Sequence, residues 1–286
     1  SPLRDVYKRQ GWSLPLRNGL AVVLQSRGNA HRNNGDLAAA IADYDAAIAI
    51  FDDIRDALRA SGHDAHWSLP LRNDLARMLQ NRGLAHKENG DLAAAIADYD
   101  AAIAIFDDIR DALRASGHDA HWSLPLRNDL ARVLQNRGLA HRDNFAFAAA
   151  IADFDAAVAI CEGIRDALCA SGNEAAWSAP LRVDLARVYH HRAVVLGPEF
   201  AARDLAEIRR IADGLRSLGR QQAAAEVDGF SAVVEQTWSG GSAFAKLHRQ
   251  HPLIFWILVA LLILLLPILL AISGLVWLIR RLWRQR

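Results

Sequence analysis

Apolar residues recur at helical spacing along most of this chain, in alternating short and long stretches. In residues 68–90, Leu71, Leu75, Met78 and Leu79 follow one another at intervals of four, three and one, which lays one apolar stripe along a helix. Pro70 suits its first turn, where amide hydrogens lack helical acceptors, and Ser68 is placed to cap it. Asn89-Gly90 ends that helix, glycine supplying the left-handed conformation of a C-terminal stop, and Asp91 caps the next. The second stripe runs Leu92, Ile96, Tyr99, Ile103, Phe106, Ile109 and Leu113, unbroken before Ser116-Gly117. It predicts a helix of about 26 residues, roughly 39 Å long. The short link turns the two helices antiparallel. Ala93-Ala94-Ala95 and Ala101-Ala102 favour helix and let neighbouring backbones approach closely.

This pair of stripes repeats. Trp12, Trp67, Trp122 and Trp177 stand 55 residues apart, each followed by Ser-(Leu/Ala)-Pro-Leu-Arg. Residues 36–90 and 91–145 differ at only four places: Met78/Val133, Lys87/Arg142, Glu88/Asp143 and Gly90/Phe145. A fixed period of this size predicts stacked units that bury their apolar faces against each other. The fold class is therefore all-α, antiparallel helix pairs piled into a superhelical solenoid. Near-identical copies present one surface several times, which points to binding and away from an enzyme. The units are 12–66, 67–121, 122–176 and a partial 177–197, together spanning 11–197. Residues 198–237 carry Phe200, Leu205, Ile208, Ile211 and Leu215, then Ala224, Val227, Phe230 and Val234, and read as capping helices. Asp5–Gln10 resembles the translation of a transposon adapter from library construction, so residues 1–10 are read as a scar.

The repeats resemble the tetratricopeptide repeat (TPR) family. Leu24, Gly28, Gly35, Ala40, Tyr44 and Ala47 stand on its pattern, as do Leu79, Gly83, Gly90, Ala95, Tyr99 and Ala102. Leu134, Gly138, Ala150, Phe154 and Ala157 follow in the next copy. The family unit has 34 residues, so this one extends the second helix and adds a connector, like the longer-helix variety of kinesin light chains. His31, His86 and His141 depart from the usual Tyr, and Phe145 replaces the turn glycine. The resemblance implies a concave groove lined by first helices. Its partner-facing residues would be Arg77, Gln80, Asn81, Leu84 and Lys87, then Arg132, Gln135, Asn136, Leu139 and Arg142. Such a groove suits a protein or an extended acidic peptide, held by Arg–carboxylate and Asn–backbone hydrogen bonds. Against this stands a solvated face whose arginines pair with Asp residues of the second helices.

Beyond a linker at 238–252 the pattern changes. Residues 253–279 hold no charged side chain, and about 20 apolar residues suffice to cross a bilayer. Trp256 and Trp277 lie 21 residues apart, roughly 31 Å along a helix, as an interfacial aromatic belt requires. Arg280 and Arg281 open a basic tail at 280–286 that would sit among headgroups. The expectation is one C-terminal transmembrane helix, kinked at Pro267, in a single-pass protein; its alternative is a re-entrant hairpin turning at Pro267, each half of which would be too short to cross. Four C-terminal arginines favour a cytoplasmic C-terminus, whereas the free thiols and the family's habits favour repeats on the cytoplasmic side; the second reading is preferred.

Charge excludes one class of partner. Six of the 33 basic residues follow Glu235, the last acidic residue, leaving 27 against 32 acidic and a net −5 before it. A mildly acidic body with no basic stripe predicts no nucleic-acid binding. Cys161 and Cys169 lie eight apart on one helix, roughly 12 Å between Cα atoms, too far for a disulfide. His63-Asp64-Ala65-His66 and His118-Asp119-Ala120-His121 offer metal-ligand residue types. The next unit has Asn173-Glu174-Ala175-Ala176 there, and zinc needs three or four convergent ligands, so these are polar connectors and no metal is expected. Asp98, Asp100, Asp107, Asp108 and Asp111 read as outer-face charge. No nucleotide loop or catalytic triad appears, and no cofactor is called for. The functional expectation is a membrane-anchored scaffold for protein–protein interaction. Its alternative is the C-terminal regulatory or sensing part of a larger protein with an upstream catalytic domain. Association of copies through exposed repeat ends, giving a homo-oligomer, is a third.

Overall fold

Each apolar stripe of the repeats forms a helix. The computed structural model describes residues 13–239 except 64–66, 119–121 and 174–175. Among the described residues nine helices and no strand occur: α1 Leu14–Asn33, α2 Leu37–Ala60, α3 Leu69–Glu88, α4 Leu92–Ala115, α5 Leu124–Asp143, α6 Phe147–Ala170, α7 Ala179–Leu196, α8 Pro198–Ser217 and α9 Gln221–Ser239. The second helices are 24 residues long, two fewer than the uninterrupted stripe suggests. The chain divides into two compact units, 1–231 and 232–286; of the second, only residues 232–239 are described.

In the first unit, α1 packs on α2, α3 on α4, α5 on α6 and α7 on α8, and each second helix packs on the next first helix. Consecutive first helices also touch, whereas consecutive second helices make no comparable contact among the described residues. The stack therefore bends with α1, α3, α5 and α7 on its inner side. It is an all-α repeat solenoid.

The tightest contact lies inside each pair. Gly28, Gly83 and Gly138 sit against the rings of Tyr44, Tyr99 and Phe154, and a Cβ there would fall 2.7–2.8 Å from a ring carbon. All three rings are fully buried. In the fourth unit Ala193 stands one period after Gly138, and Leu205 follows Asp204 as Tyr99 follows Asp98, so neither the glycine nor the ring is kept.

The turns follow the sequence closely. At α3–α4, the Asp91 amide donates to the His86 carbonyl and the Gly90 amide to that of Lys87, closing the helix with Gly90 at φ 84°. Asp91 then caps α4 by accepting from the Ala94 amide at 3.0 Å. The third unit keeps this geometry without its residues. Phe145 adopts φ 58°, which costs a non-glycine residue about 1–2 kcal/mol. Ala146, at the cap, has no side chain to accept a bond.

Three expectations need correction. Ser68 occupies the N-cap position with extended backbone, but its side chain makes no capping hydrogen bond. The turn is held instead by Arg72, whose Nε donates to the Trp67 carbonyl at 3.2 Å; Arg127–Trp122 and Arg182–Trp177 repeat this at 3.1 and 3.0 Å. Phe200 is exposed, because the buried face of α8 runs Ala201, Asp204, Ile208, Ala212 and Leu215, one position further round. Asp98 is buried, for the reason given below. Helix α9 continues to Ser239, so its last turn takes in the first two residues of 238–252.

Candidate functional site on the first-helix face

Outside the turns, one arginine per unit ties three helices together. Arg82 holds Asp98 of its own second helix (Nη2–Oδ1 2.5 Å, Nε–Oδ2 3.0 Å) and Asp45 of the preceding one (Nη1–Oδ1 2.6 Å). Arg137 repeats this with Asp153 and Asp100, and Arg192 with Asp204 and Asp155. Asp98 is therefore no outer-face charge: it lies inside a bidentate pair, while Asp100 and Asp45 stay at the rim. Burial pulls the Arg82 guanidinium down, but its bonds to Asp98 and Asp45 outweigh that and its pKa is raised. The histidines that replace the family's usual tyrosine join the cluster, with His86 and His141 Nε2 3.9 Å from Asp98 and Asp153.

This arrangement sorts the ten groove residues. Arg77 and Arg132 are exposed, one repeat apart on α3 and α5. Gln80 and Gln135 are buried where first helices meet. Asn81, Leu84, Asn136 and Leu139 are half-buried, Leu139 against the core. Lys87 reaches Asp143 of the next unit at 3.5 Å and Arg32 reaches Glu88 of the next unit at 3.9 Å, whereas Arg142 pairs with Asp143 beside it on the same helix at 2.7 Å. The face is less purely cationic than its arginines suggest. Asp74 and Asp129 lie beside Arg77 and Arg132, and burial raises both carboxyls above the usual range.

Helix α7 carries site residues that the sequence reading did not single out. Arg187, His190 and His191 occupy the places of Arg132, Gln135 and Asn136, offset by one 55-residue period. Arg187 pairs with Glu226 of α9 at 3.0 Å, and His190 Nδ1 lies 3.1 Å from the Phe230 carbonyl. His191 stacks on Phe154, and burial, helped by His190, Arg142, Arg187 and Lys87, lowers its pKa to about 3. The repeat period was the signal that leads to them.

Cys161 is buried and Cys169 exposed. Burial pushes the Cys161 thiol up to about 12. Cys161 replaces the phenylalanine seen at Phe106, and on the facing helix Tyr189 replaces Leu134, so a small and a large residue trade places across one interface. Among the described residues no cluster of three or more His, Cys, Asp or Glu is arranged to hold a metal. His66 and His121 lie outside the described residues, as do Trp256, Trp277, Arg280, Arg281 and the whole of 253–279. No described helix is long and apolar enough to cross a membrane.

The family model described as "Tetratricopeptide repeat" matches residues 21–53 and 76–108, from within α1 and α3 into their second helices. Among solved structures, similarity extends to a Podosopora anserina kinesin light chain protein with nearly identical TPR-like repeats, and to a single-substitution variant of that same protein. Each is 14% identical, covering 77% of this chain and 96% of that one with a TM-score of 0.37. Nothing among curated proteins matches.

Proposed function

We propose that this protein is a membrane-anchored scaffold, without catalysis or a cofactor of its own, that holds an acidic segment of a protein partner against its first-helix face. Repeats of this kind generally bind proteins or peptides and are generally non-catalytic. One observation carries the reading. Arg77 and Arg132 stand exposed on adjacent first helices at the inner side of the stack, while the other two groove cations, Lys87 and Arg142, are both paired with Asp143. Two guanidinium groups one repeat apart suit carboxylates spaced along a peptide, each pair forming a charge-assisted bond. The anchor rests on the uncharged run 253–279 and its flanking arginines, with the repeats on the cytoplasmic side.

The test uses the full chain in detergent micelles against an immobilised array of Asp/Glu-rich peptides. Binding that weakens with salt and drops at least tenfold in Arg77→Glu/Arg132→Glu is the expected result. Equal binding by that variant overturns the groove reading. Extraction of the expressed protein from membranes by alkaline carbonate, without detergent, overturns the anchor.

A further inference from the structure

The inner side of the stack is not its only open surface. Between the second helices α2 and α4, which do not pack on each other as first helices do, lies a cleft of about 690 Å³, within the range of small-molecule sites. Arg59 of α2, Arg72 at the start of α3 and Asp108 of α4 line it, around an apolar floor of Trp67, Leu75 and Ile105. Leu75 is buried, and Trp67 and Ile105 are half-buried. Two further charges on its wall are already engaged: Arg55 holds Asp52 at 2.8 Å, and Asp111 accepts from Arg110 at 3.2 Å. The first three are not. Arg59 and Asp108 are exposed and have no ion pair or hydrogen bond among the described residues. Arg72 gives its Nε to the Trp67 carbonyl, but neither of its terminal nitrogens has a partner among the described residues. The N-terminal end of α3 lies here too, and its dipole favours negative charge. Ser68 makes no capping hydrogen bond there.

The other repeats show which of these groups the period keeps. One period on, Arg114, Trp122, Arg127, Leu130 and Ile160 hold the corresponding positions, but Gly163 replaces Asp108. A further period on, Cys169 replaces the arginine, and Trp177 is buried with Arg182 over its ring at 5.7 Å. Of the three positions, the first alone combines two unengaged guanidinium groups, an unengaged carboxylate and a partly open indole. We propose that this cleft binds an α-amino acid with an apolar side chain as its zwitterion. The carboxylate lies on the free guanidinium edges of Arg59 and Arg72, the ammonium on Asp108, and the side chain over Trp67, Leu75 and Ile105. A simple anion would leave Asp108 unanswered, and a simple cation would leave both guanidinium groups so. Arg72 and Arg77 are rotated about 140° apart around α3 at 100° per residue, so this site and the groove are tested separately.

The probe is radiolabelled phenylalanine, measured by equilibrium dialysis against the full chain in detergent micelles, with empty micelles as the blank. It should bind saturably. Arg59→Ala should weaken that binding about tenfold while leaving the helical circular dichroism unchanged, since Arg59 is exposed and unpaired among the described residues. Asp108→Asn should weaken phenylalanine binding about tenfold but leave binding of N-acetylphenylalanine, which has no ammonium group, as it was. Absence of saturable phenylalanine binding overturns the proposal, and so does binding that either variant leaves unchanged. Equal affinity of the unaltered chain for phenylalanine and N-acetylphenylalanine also overturns it, because the cleft would then read a carboxylate alone, such as the C-terminus of a peptide.

Discussion

Replacing Gly83 with alanine tests the closest contact in the repeat. An alanine in place of glycine inside a helix favours the folded state by about 1 kcal/mol. At Gly83 the new Cβ would lie 2.7 Å from Tyr99 Cε1, and the ring is fully buried with no room to swing aside. Overpacking of this kind costs about 1–3 kcal/mol. The difference is a loss of about 1 kcal/mol, which for a protein of this size lowers Tm by roughly 2–4 °C. Gly163 is the control, because a Cβ there meets nothing within 4 Å. Gly163→Ala should raise Tm by a similar amount, giving the same substitution two opposite signs. The fourth unit suggests the rescue: it has Ala193 in the place of the glycine and Leu205 in the sequence place of the ring, so Tyr99→Leu should be less harmful beside Gly83→Ala than alone. Tyr99 loses no hydrogen bond in that change, since its hydroxyl meets no protein partner. A double-mutant cycle should show coupling of about 1–2 kcal/mol, in the range for residues in contact. Thermal unfolding followed at 222 nm measures all four proteins. If Gly83→Ala and Gly163→Ala shift Tm in the same direction, or the cycle shows no coupling, the steric argument fails.

Two further outcomes follow from the charges. Asp153→Ala strands Arg137 in a partly buried site and should cost about 3 kcal/mol, whereas Asp100→Ala, at the exposed arm of the same arginine, should cost about 0.5 kcal/mol; equal losses in urea unfolding would show that the two arms are not distinct. His191 is neutral in the fold at pH values where it is protonated when unfolded, so stability is full above about pH 6.5 and falls as pH drops towards its folded value of about 3. By pH 5 the loss should be roughly 2 kcal/mol, and His191→Asn, which restores the residue of the inner repeats, should flatten the curve between pH 6.5 and 5.

Helix order, pairing and turns were readable because each depends on residues within a few positions of one another. Leu92 to Leu113 spells out one face of one helix, and Asn-Gly-Asp spells out one turn. The arginine ties were not read, because Arg82 meets Asp45 and Asp98 only after three helices have stacked. A signal was nonetheless present. Asp98 has Ala95 and Ala102 on its own face, three residues before and four after, and both are wholly buried. Asp100 is rotated about 200° from Asp98 at 100° per residue, so the two cannot share an environment. Grouping them as surface charge ignored that rotation. Phe200 was misplaced in the converse way, since a charged residue, Asp204, stands inside the buried stripe of α8 and hides its phase. In both cases a carboxylate lies on an apolar face because an arginine one helix away neutralises it. Such residues interrupt the hydrophobic pattern at the very places where helices are locked in register.

The same reasoning bears on what the stack can bind. A superhelix whose cations all served register would offer a partner little charge, and several of its cations do serve register: Arg82, Arg137 and Arg192 join helices, and Arg32 and Lys87 reach acidic residues at the end of the next unit's first helix. What is left over is position-specific. Arg77 and Arg132 stand exposed at the middle of the inner surface. Near-identical repeats thus become chemically unequal by position alone. Arg132 and Arg187 hold the same place in successive units, yet Arg132 is exposed whereas Arg187 pairs with Glu226 of α9, so the element that follows each unit decides which arginine is left for a partner.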